Sequence, residues 1–116
     1  MKIDLERQMD SCRRVSAEVL AGAATLEQLC IDTRGLLYMA EVVMASMSSI
    51  MTEKLTQLVR EVLEGAAKAA KARAEQQPQL GEDEKESGRR VIGRVKEFDS
   101  AWEKHQAAVR GEELVH

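Results

Sequence analysis

The chain has 116 residues, a formal net charge of −3, 44% apolar residues and 32% charged residues. That length suits one hydrophobic core rather than two, and the mixture excludes both a membrane-embedded chain and a highly charged disordered one. Aromatic residues make up 3%, with one proline (Pro78) and no asparagine, so the turn residues of an all-β sandwich are missing.

Basic and acidic side chains are interleaved throughout, leaving neither a basic arm nor an acidic tail. The opening Met1-Lys2-Ile3-Asp4-Leu5-Glu6-Arg7 carries charges where a secretory signal needs a continuous apolar run. The most apolar window, Leu36 to Met51, contains Glu41 and is too short to cross a bilayer. These features lead us to expect a soluble, cytoplasmic protein.

Apolar periodicity is helical almost throughout. Leu5, Met9, Cys12, Ser16, Val19, Ala23, Leu26 and Cys30 alternate steps of four and three, the spacing of a coiled-coil-like seam on a helix over about 3–33. On such a helix Cys12 and Cys30 stand roughly 27 Å apart at 1.5 Å rise per residue, far beyond disulfide reach. Both read as core thiols.

Asp32-Thr33-Arg34-Gly35 is the first candidate break, with Gly35 as a C-cap at positive φ and a hairpin following. The seam keeps its phase across it through Cys30, Thr33, Leu37, Ala40, Met44, Met47 and Met51. The alternative is therefore one long helix over 3–76, with a shorter helix packed back on it. The hairpin is favoured because the apolar face broadens just after Gly35. Leu36, Leu37, Met39, Val42, Val43, Met44, Met47, Ile50 and Met51 cover more than half the circumference of a helix. Such a helix needs cover on more than one side. Beyond it Leu55, Leu58, Val59, Val62, Leu63 and Ala66 form a single stripe, after a stutter between Met51 and Leu55. The segment Ala66–Ala74 follows as a strong helix former with a narrow face.

The clearest boundary is 77–81, where Pro78 disfavours helix at Gln77 and Gly81 follows. A last helix over 82–110 opens with Glu82-Asp83-Glu84 against the positive end of its dipole. Its seam runs through Val91, Val95, Phe98, Trp102, His105 and Val109, with Trp102 as a largely buried anchor and Gly111 as its end. Gly88 and Gly93 weaken this helix and could admit a close neighbour.

Candidate chemistry is sparse. His105 has no carboxylate at the three- or four-residue spacing of a helical metal site. No nucleophile elbow, phosphate-binding loop, His-Glu-x-x-His or paired Cys-x-x-Cys pattern occurs. We expect no enzymatic activity, no cofactor and no metal. Arg89, Arg90, Arg94 and Lys96 form the one basic cluster, but several acids stand close by and no aromatic shares its face.

The expectation is therefore an all-α protein: a single domain over 1–116, built as a three-helix bundle with coiled-coil-like seams. Its helices lie near 3–33, 36–76 and 82–110, with a linker at 77–81 and a long central helix. Its function is that of a non-catalytic interaction module (an adaptor, co-chaperone or assembly subunit), self-associating as a homodimer or binding a helical protein. The partner-binding residues are Leu36, Met39, Val43, Met44, Met47, Ile50 and Met51, a methionine-rich face able to adapt to its partner. The alternative is a small regulator contacting nucleic acid through Arg89, Arg90, Arg94 and Lys96. No membrane contact is expected.

Overall fold

The computed structural model describes residues 5–22, 25–46 and 49–115, with side chains described for 6–19, 22, 25–45 and 53–111. Among the described residues every regular element is a helix, and there is no strand. Four helices follow one another: α1 (Leu5–Ala21), α2 (Leu26–Ser46), α3 (Ser49–Gln76) and α4 (Glu82–Val115). The all-α expectation holds, whereas the three-helix division does not.

The first correction concerns 3–33. That segment is divided at Gly22, which has φ of +66° and closes α1 by donating its N–H to the Val19 carbonyl at 3.1 Å. This is the left-handed conformation that glycine adopts without steric cost. Thr25 then caps α2, its Oγ1 accepting the Gln28 N–H at 3.0 Å. Arg73 of α3 donates to the Gly22 carbonyl at 3.4 Å and ties the connection to the bundle.

The second correction concerns Gly35. Asp32 to Gly35 lie inside α2, and Gly22 is the one positive-φ residue among those described. The chain reverses before this point rather than at it. Buried Leu36, Leu37 and Ala40 hold the helix through Gly35, and packing outweighs a propensity cost of about 1 kcal/mol.

The long helices over 36–76 and 3–76 are likewise replaced. End to end, α2 and α3 would measure roughly 74 Å at 1.5 Å per residue, more than the 56 Å of the longest dimension. The two helices pack against each other instead. After α3, the Gln77 N–H bonds to Arg73 O at 2.9 Å, and Leu80 N–H to Gln77 O at 3.3 Å, forming the turn around Pro78. The boundary at 77–81 stands as expected. Helix α4 continues through Gly88, Gly93 and Gly111 to Val115, so Gly111 does not end it.

The helices run up and down in order. Helices α2 and α3 pack together; α4 lies against both on one side and α1 against both on the other, so α1 and α4 do not meet. The outline is a flattened slab of 56 × 26 × 19 Å, two helices thick. One core cluster joins Cys12 and Val15 of α1, Leu36, Leu37, Ala40 and Met44 of α2, Val59, Val62 and Leu63 of α3, and Phe98 of α4. The other, toward the α1–α2 connection, joins Leu26 and Leu29 to Ala66, Ala70 and Val91. Gly88 is buried here beneath Leu26, and a methyl in its place would stand 3.7 Å from a Leu26 terminal carbon. Gly93 has no such neighbour.

Candidate helix-docking surface

The expected partner face is divided by the fold. Leu36, Val43 and Met44 are buried within the chain's own core, and Met39 is half-buried against it. The broad apolar arc is therefore covered, for these residues, by α1, α3 and α4 of the same molecule. Met47 lies outside the described residues, as do the side chains of Ile50 and Met51.

On the opposite side of α2 a second apolar stripe faces outward. Ile31 is 64% exposed and Tyr38 69% exposed. Gly35 lies between them, with nothing within 4 Å of where its Cβ would stand, and half-buried Val42 and exposed Ala45 continue the line. Gln28, Ile31, Gly35, Tyr38, Val42 and Ala45 follow steps of three and four, the spacing of a coiled-coil seam. Helix α2 thus carries two seams, one inward and one outward. The bare backbone at Gly35 makes a notch beside the Tyr38 ring. Arg34 and Glu41, both exposed and two helical turns apart, flank the stripe on one side. Neither has an ion pair among the described residues.

Below this stripe an open groove of about 800 Å³ runs between α2 and α4. Apolar Met44, Ala45 and Ala101 line it together with Gly93 and polar residues that include Glu41, Lys96, Glu97, Lys104 and His105. A mixture of apolar and oppositely charged side chains is common in protein contact surfaces. Ile31 and Tyr38 are not among the partner-binding residues expected from the sequence. Their three-and-four spacing marks them, but Gly35, a candidate break, sits in the middle of that series.

The basic cluster does not form one face. Arg94 turns into the α2–α4 packing at 9% exposure, donating to Glu97 Oε2 at 3.1 Å and approaching Cys30 Sγ at 3.8 Å. Its Nε is buried without a hydrogen-bond partner. Arg89 and Arg90 are exposed but both bond to Glu86, at 2.7 and 3.4 Å. These hydrogen bonds, that of Arg89 foremost, hold the Glu86 carboxyl below the usual glutamate range. Lys96 stands apart, lining the groove between α2 and α4.

The remaining polar sites are local. Arg60 of α3 holds Asp99 of α4 through both carboxylate oxygens, at 2.8 and 3.2 Å, and also pairs with Glu64. Asp99 foremost, these contacts raise the guanidinium above its already high ordinary pKa. The pair closes one side of a small cleft beside Trp102. Trp102 is half-buried against the core, its ring 5.6 Å from His105. Both cysteines are free. Burial pushes the Cys12 thiol up to about 11. Among the described residues no cluster of three His, Cys, Asp or Glu side chains could hold a metal ion, and no helix is long and apolar enough to cross a membrane. Compared with protein-family models, with curated proteins and with solved structures, the chain matches none of them.

Proposed function

We propose that this protein is a non-catalytic interaction module that binds a helix on the outward face of α2. The observation that carries the reading is the exposed three-and-four series around Ile31, Gly35 and Tyr38. A large apolar residue left in water on a folded helix is unremarkable singly, but a seam-spaced series is what a partner helix packs against. An exposed tyrosine beside a bare glycine supplies both a rigid anchor and the recess such an anchor needs. The site expected on Leu36, Val43 and Met44 thereby moves to the other side of the same helix. The nucleic-acid reading draws less support, since Arg94 is buried and Arg89 and Arg90 share a carboxylate.

The test is site-specific photo-cross-linking in the native cell. A photoreactive side chain in place of Tyr38 should give a discrete adduct to a helical segment of its partner. The adduct should vanish with Ile31→Asp, while the same group at exposed Lys71 of α3 should give none. Equal labelling at 38 and 71 would overturn the reading.

A further inference from the structure

Resting on that reading, we infer that the occupant of the α2 face is a second copy of this chain, laid antiparallel about a two-fold axis. The stripe is complementary to itself. In a two-fold contact, if residue i meets residue j of the second copy, then j meets i. Antiparallel pairing centred between Gly35 and Tyr38 sets Tyr38 of each copy on Gly35 of the other, the largest exposed side chain of the stripe against its one missing side chain. The next layer outward sets Ile31 against Val42, and the one beyond it Gln28 against Ala45.

The same register decides the charges. Arg34 and Glu41 occupy equivalent flanking positions of successive heptads, and antiparallel helices bring such positions on the two chains together. Arg34 of each copy then faces Glu41 of the other, making two equivalent ion pairs from groups that have none among the described residues of one chain. A parallel pairing would instead set Arg34 near Met39 and leave both charges unmatched. Gly35 lets the backbones approach closely where the axis passes. The chain with its own helices thus presents size and charge complementarity to one partner in one direction.

The experiment is a charge exchange read by sedimentation. The wild-type chain should be a dimer at high micromolar concentration. Arg34→Glu should weaken it by roughly tenfold or more, because both contacts become Glu against Glu. Glu41→Arg should do the same with Arg against Arg. Mixing the two variants should restore a dimer, now a heterodimer, since every flanking contact is again of opposite charge. Both residues are exposed on a helix surface, so far-ultraviolet circular dichroism should show unchanged folding. A monomeric wild type overturns self-pairing, and a cross-link from position 38 to another protein would then leave the docking reading standing. A wild-type dimer insensitive to Arg34→Glu, or variants that fail to associate on mixing, overturns the antiparallel register.

Discussion

Cys12 and Cys30 differ in burial, and their reactivity should differ accordingly. Cys12 is fully buried, with its thiol pushed up to about 11, so at pH 8 only about one molecule in a thousand carries the thiolate. Cys30 is half-buried beside the Arg94 guanidinium. Titration of the native protein with a disulfide reagent at pH 8 should label Cys30 first and Cys12 only at the rate at which α1 opens. Glu86 offers a second check at this scale. Its folded pKa is depressed, so the stability it contributes is present above the ordinary glutamate value of about 4.3 and is lost as pH falls through the lower folded value. The effect on stability is small at so exposed a position. The carboxyl carbon of Glu86 in an NMR titration should show its midpoint below that of free glutamate. Arg89→Ala should move that midpoint back toward the ordinary value.

At the scale of the element, two glycines predict opposite signs. Gly35 sits mid-helix with open space around it, so Gly35→Ala should stabilise the monomer by about 0.5–1 kcal/mol through helix propensity. Gly22 holds a positive φ, so Gly22→Ala should destabilise by about 1 kcal/mol or more. Thermal melts of the two variants check both. The pair also marks where the fold was legible. The helical class, the boundary at Pro78 and the acidic start of α4 follow from periodicity and local chemistry. The break at Gly22 was also written in the chain, as a glycine followed by the capping pattern Thr25-x-x-Gln28. It was masked because Val19, Ala23 and Leu26 keep the four-three spacing across the connection. Spacing along the chain does not register a reversal whose length happens to preserve phase. Gly35 misled in the other direction, since buried neighbours override a single weak helix former.

At the scale of the whole molecule, the helices are unequally held. Helix α1 packs on α2 and α3 but not on α4, whereas α3 packs on all three others. Amide exchange in native conditions should therefore be fastest in α1 and slowest in the middle of α3, around Val59 to Ala66. Equal protection in α1 and α3 would show that the four helices open as one unit. The candidate surface was legible in the same uneven way. Periodicity drew attention to the segment from Leu36 to Met51, most of which lies in α2, because a helix apolar over so much of its circumference needs cover on more than one side. It could not say which arc the chain itself would cover, because that depends on four helices where three were expected. The inner arc of Leu36, Val43 and Met44 went to the core, and the outer arc of Ile31 and Tyr38 was left in water.

The thickness of the slab has its own consequence. At 19 Å through its shortest dimension, there is room for two layers of helix and no third. Every helix keeps one side in water however well the other is packed, and the fraction of surface that folding can remove from solvent stays low for a chain of this size. Such a fold has a narrow thermodynamic margin. Laying a second slab on α2 would turn its outer layer into an inner one, and the free energy of that contact would add directly to the stability of each copy. The temperature at which the protein melts should then depend on how much of it is present, rising with concentration as mass action requires.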